Sequence, residues 1–178
     1  MIELDALQDL VACLRESSYR WVGVDGVDGC GKTTLAKALA QQLDVPLISL
    51  DDFLDKNQGG YLNHLRYKEL KRALDAKSQC IVEGVCLLQV MEIANVKVDA
   101  LVYVKRMQHG IWADERECDV VEDVEIFLKA ERELVEAFAS SETDPTNPAL
   151  PHLAEELIRY HASYRPFDQA TFWYCRNE

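Results

Sequence analysis

Residues 19–33, Tyr-Arg-Trp-Val-Gly-Val-Asp-Gly-Val-Asp-Gly-Cys-Gly-Lys-Thr, decide the fold. The apolar run 19–24 ends in closely spaced glycines, as a buried strand entering a tight turn does, and 34–43 then carries helical periodicity. Within this strand, turn and helix, Gly26-Val27-Asp28-Gly29-Cys30-Gly31-Lys32-Thr33 satisfies the pattern G-x-x-x-x-G-K-[ST]. At average residue usage, a chance match in 178 residues is roughly a one per cent event. Glycines at 26, 29 and 31 let successive amides turn toward one point, and the start of the helix near Lys32 adds the positive end of its dipole. Such a nest holds phosphate oxygens.

The chemistry of each position in the turn follows. Lys32 is placed to reach the β and γ phosphates of a nucleotide as a point charge, and the Thr33 hydroxyl is a ligand for Mg²⁺. Gly26, Asp28, Gly29, Cys30, Gly31, Lys32, Thr33 and Thr34 are therefore the expected nucleotide-contacting residues. Cys30 sits beside amides and Lys32, where a thiol pKa can fall and oxidation could block the site. A small side chain tolerated at a variable position is the simpler reading.

Outward from the turn, strands alternate with helices. Apolar runs at 45–50, 80–85, 98–104 and 171–175 read as further strands, the last as an edge or late one, and 62–76, 124–139 and 153–162 read as helices. Ile126, Phe127, Leu134 and Phe138 form the expected apolar side of the second of these helices. An amphipathic helix over 3–17 precedes the turn, and Pro, Ser, Thr and Asn mark a loop over 140–151. Continuous apolar strands separated by helices predict a parallel sheet covered on both faces, with functional loops along one rim.

Composition narrows the partners. The chain, 178 residues and 48 per cent hydrophobic, is a single domain able to bury a core. Its net charge of −12 disfavours nucleic acid and anionic membranes and favours small-molecule partners. The six cysteines show no C-x-x-C pair, the N-terminus lacks a secretory leader pattern, and no run approaches a membrane span, so a cytoplasmic protein is expected.

Two further constellations fall on the same rim as the turn. Ser49-Leu50-Asp51-Asp52-Phe53 puts carboxylates at a strand end, where an ionised Asp51 could orient an acceptor hydroxyl and take its proton; capping the next helix is the alternative. Val82-Glu83-Gly84-Val85 puts a carboxylate beside a glycine. Glu83 could hold a Mg²⁺-bound water or orient the acceptor, since a buried Glu without such partners is costly.

In this order and spacing the three motifs resemble those of the uridine kinase and phosphoribulokinase-type P-loop kinases, and Tyr164-Arg165-Pro166-Phe167-Asp168-Gln169-Ala170 resembles the segment before their last strand. The resemblance implies an α/β P-loop NTPase fold of nucleoside-kinase type, with a central five-stranded parallel sheet. It also implies transfer of the ATP γ-phosphoryl group to a small-molecule hydroxyl with Mg²⁺, Asp51 as catalytic base, and Glu83 near metal and acceptor. An arginine-bearing lid would occupy about 105–120, offering Arg106 and Arg116 as catalytic cations. Ala113 stands where the relatives commonly carry Arg, and little chain beyond the last strand remains for a base-cradling loop.

Other classes fit less well. A regulatory GTPase would need N-K-x-D, but Asn95-Val96-Lys97-Val98-Asp99 has the wrong spacing, and no D-x-x-G follows the turn. A nucleotide-binding module with little turnover, or an NTP hydrolase, remains the alternative. The basic stretch over 55–77 reads as a solvated helix face or as contacts to an anionic acceptor.

Overall fold

The computed structural model describes residues 1–55, 60–119, 123–142 and 151–177. Its sheet is built on β2 (Trp21–Asp25), whose Val-Gly-Val centre is apolar toward both faces. Gly23 permits one of those contacts: a Cβ there would fall 2.6 Å from Leu87 Cδ2 of α4 (Leu87–Ile93). Beside β2 lie β4 (Cys80–Glu83) on one flank and β5 (Ala100–Gln108) on the other, both parallel to it. β3 (Leu47–Ser49) completes the first flank next to β4.

The second flank is longer than the sequence predicts. β7 (Phe172–Asn177) pairs with β5, and β1 (Ile2–Leu4) pairs with β7, giving the order β1-β7-β5-β2-β4-β3. The parallel α/β class is as expected, but among the described residues the sheet has seven strands, not five. The additions are β1 and a short antiparallel β6 (Ile111–Trp112) on the end of β5. Glu3 and Leu4 of β1 fall within the helix expected over 3–17. The open edge of β7 draws that strand into the sheet instead, starting with the Ile2 amide on Thr171 O at 3.1 Å, and the helix α1 begins only at Leu7 (Leu7–Ser17).

Two core layers follow from side-chain alternation. Val22 and Val24 pack with Leu10 and Leu14 of α1 and Leu39 of α2 (Lys32–Leu43). On the opposite face, Val82, Leu101 and Tyr103 pack with Leu70 and Leu74 of α3 (Tyr67–Asp75), with α4, and with Tyr160 of α7 (His152–Tyr164). The short α8 (Pro166–Gln169) leads into β7 and buries Phe167. Helix α6 (Val124–Glu142) rests on α7 through Phe127, Leu128 and Ile158. Its expected apolar side is thus only partly inward, because Ile126 is 62 % and Leu134 45 % exposed. Residues 143–150 of the expected loop, and Lys56 of the basic stretch, lie outside the described residues.

The segment expected as a lid is a hairpin of β5 and β6 followed by the turn of helix α5 (Glu115–Cys118). Lys105, 8 % exposed, lies between the rings of Trp112 and Trp173, its Nζ 4.3 Å and 3.1 Å from their centroids. A cation held between two indoles fixes the hairpin to the sheet. Among the described residues no helix is long and apolar enough to cross a membrane.

Candidate active site

The turn between β2 and α2 has the backbone its glycines allow. Gly29 (φ 72°) and Gly31 (φ 97°) are left-handed, so a side chain at either would strain the loop. Asp25, at the end of β2, is fully buried and accepts the Gly26 amide at 2.7 Å and the Tyr160 hydroxyl. Burial pushes its carboxyl up to about 6, against the opposing hydrogen bond from Tyr160. Lys32 is only 6 % exposed, and its Nζ donates to Val27 O at 2.6 Å, inside the curve of the turn. Asp28 accepts the amide of Gly29 at 3.0 Å. Cys30 has no exposed surface, and burial raises its thiol pKa, which fits the simpler reading of a small packed side chain and not that of a thiol with a lowered pKa.

Across the turn stand the two carboxylate motifs. Glu83, 1 % exposed, accepts the Ser49 hydroxyl at 2.5 Å and the Thr33 hydroxyl at 3.2 Å. Those partners answer the cost of burying a strand-end glutamate. Asp51 lies in the 3₁₀ turn Leu50–Phe53, exposed to the cleft, and accepts the Tyr61 hydroxyl at 3.1 Å. Burial and the neighbouring Asp51 raise the Tyr61 pKa, so the phenol remains a donor. Its own backbone is fixed from α7, where Glu156 accepts the Tyr61 amide at 2.7 Å.

A cleft of about 730 Å³ gathers these groups: Asp28, Gly29, Gly31, Lys32, Thr33 and Thr34 from the turn, together with Asp51 and Glu83. Gly26 and Cys30 support the turn from beneath, Cys30 Sγ lying where a Cβ on Gly26 would come within 2.8 Å. The expected arginines do not join the lining. Arg106 is paired with Asp114, and Arg116, 60 % exposed at its side chain, is paired with Glu131 on α6. Arg66 of the basic stretch is engaged by Asp55 at 2.8 Å and Glu69 at 3.0 Å. Sequence reasoning places Tyr61 near an acceptor region without giving it a role, and it misses Arg176, which also lines the cleft. Arg176 donates to Cys30 O at 3.1 Å from the far end of the chain, a separation that no local motif encodes.

Comparison with known proteins bears on the fold and the class of protein. The family model for shikimate kinase matches residues 28–69, from the turn through Asp51 to α3. A shikimate kinase of Bacillus cytotoxicus is 24% identical over 165 residues, covering 79% of this chain and 97% of that one. One of Rhodopirellula baltica is 53% identical over 34 residues, 19% of this chain and 18% of that one. Among solved structures, a candidate fructose transport system kinase from Silicibacter superposes with a TM-score of 0.50 at 16% identity, covering 95% of this chain and 98% of that one. Fold and site together define an α/β P-loop kinase, an ATP-dependent phosphotransferase with a hydroxyl acceptor. The likeness to kinases holds at that general level.

Proposed function

We propose that this chain transfers the γ-phosphoryl group of ATP to a hydroxyl of a small polar acceptor, nucleoside-like or of related polyol character, as its motif resemblance to uridine kinase-like enzymes implies. The observation that carries the reading is the meeting, in one cleft, of the phosphate turn, the Thr33–Glu83 pair and the acceptor-side Asp51. In this scheme Lys32 neutralises the β and γ phosphates. Asp51 accepts the proton as the acceptor oxygen bonds to the γ-phosphorus and the bond to ADP breaks. Tyr61 holds the Asp51 carboxylate in one orientation by its hydrogen bond.

The hard oxygen donors Thr33 and Glu83, with Ser49 against the same carboxylate, fit Mg²⁺, which would be held by Thr33 with Glu83 on its hydration shell. Among the described residues no cluster of three or more His, Cys, Asp or Glu forms a protein cage, so phosphate oxygens would complete the coordination. When bound, the ion supplies charge neutralisation on the transferring group.

ADP release tests the proposal when MgATP is held constant and shikimate, uridine and a panel of sugars and alcohols are offered in turn. Acceptor-dependent release that vanishes in Asp51→Asn supports it. Release that ignores every acceptor makes the chain a hydrolase, and MgATP binding without release makes it a nucleotide-binding module. The module reading draws support from Arg106 and Arg116, both paired outside the cleft.

A further inference from the structure

Arg176 stands between two cavities. On one side is the phosphate cleft; on the other lies an apolar pocket of about 280 Å³ whose walls include Leu7, Leu35, Val104 and Tyr174. Gly31, Thr34 and Arg176 line both. The guanidinium lies directly against the turn: a Cβ on Gly31 would sit 2.7 Å from its Nη1, which donates to Cys30 O. A nucleoside triphosphate has the same layout, a polyanion joined to a flat aromatic base.

Among the described residues, Lys32 and Arg176 are the cations that line the cleft. Lys32 belongs to the phosphate end. A guanidinium, planar and carrying five donors, can bond a phosphate oxygen in its plane while its flat face stacks on an aromatic ring; an ammonium meets a ring only as a compact point charge. We infer that Arg176 grips the nucleotide where the phosphate chain meets the base, with the base in the apolar pocket between α1, α2 and β7. This rests on the nucleotide reading of the cleft and adds to it a residue and a place for the base. It also explains how a nucleotide is held when the hairpin arginines are engaged elsewhere. Glycine is needed at position 31 on two counts, its left-handed backbone and the guanidinium packed against it.

The quantity that tests this is the preference for MgATP over magnesium tripolyphosphate, measured by titration calorimetry on the full chain. Arg176→Met should weaken MgATP at least tenfold and tripolyphosphate much less, so that the preference falls at least fivefold. Arg176→Lys should keep tripolyphosphate affinity yet lose most of the preference, and it carries the test if the methionine variant does not fold. A side chain that only pins the Cys30 carbonyl would weaken both ligands equally, and an unchanged preference in either variant overturns the inference. Lys32→Ala, which should weaken both ligands, separates the levels of failure. A wild-type chain that binds neither MgATP nor MgGTP overturns the nucleotide reading together with this one; wild-type binding lost in Lys32→Ala but with the preference intact in both Arg176 variants overturns this one alone.

Discussion

Asp51 follows β3 and Asp25 ends β2, and the two carboxylates meet opposite surroundings. Asp51 is exposed to the cleft and steered by Tyr61. Asp51→Asn keeps that hydrogen-bond acceptor but removes the base, so MgATP affinity should stay within about twofold while transfer slows at least a hundredfold. Calorimetry paired with a single-turnover assay measures both, and an unchanged rate would remove Asp51 from the reaction. Asp25 is sealed beneath the turn, with its carboxyl at about 6 against an ordinary 3.8. A raised folded-state pKa contributes stability that is complete below about pH 4 and lost as pH rises through 6. His161, held down to about 4 by burial, works the other way in the same window, since its neutral form is the folded one and stability is gained as pH rises. The two slopes offset each other in the wild type. Asp25→Asn should expose the His161 slope and gain on the wild type by about 3 kcal/mol between pH 4 and 7. Urea titrations across that range measure it; parallel curves for the two proteins would show that Asp25 carries no buried charge.

At the scale of elements, β4 and β3 set the Asp51 side of the cleft through one close approach. A Cβ on Gly84 would come within 2.7 Å of both Cβ and Cδ1 of Leu50, a residue with no exposed surface that precedes Asp51. Gly84→Ala should therefore cost about 1–3 kcal/mol and displace Asp51. Thermal melts and turnover should fall together, and wild-type values for both would mean that Leu50 yields freely. The phosphate turn was legible because its function demands glycines at close spacing between a strand and a helix, and Asp51 and Glu83 because strand ends share a rim. Other elements were not. Ile2-Glu3-Leu4 merges with the heptad-like leucines behind it, and only the edge of a strand 170 residues away turns it into β1. Arg106 and Arg116 carry the right charge in the right segment, yet Asp114 and Glu131 claim them, pairings that depend on how the hairpin and α6 pack. Tyr61 reaches Asp51 only because Glu156 of α7 fixes its backbone, a contact across 95 residues.

For the molecule as a whole, net charge and ligand charge oppose each other. A chain of net charge −12 binds a polyanion only where amides and a few cations are concentrated, and the turn, Lys32 and Arg176 concentrate them at one point. MgATP at 100 times its dissociation constant should raise stability by about 2.7 kcal/mol, roughly 5–10 °C in the melting temperature of a domain this size. A scanning fluorimetry series with MgATP and MgGTP measures it, and no shift with either would contradict the whole construction. The position of β7 between β1 and β5 has a consequence for how the protein is made. During translation the first strand emerges with no neighbour to pair with, and its seat in the sheet comes into being only when Phe172 and its successors leave the ribosome. Arg176 arrives with that same strand, so a nascent chain that already contains the whole phosphate turn lacks the guanidinium that bonds the Cys30 carbonyl until β7 has emerged.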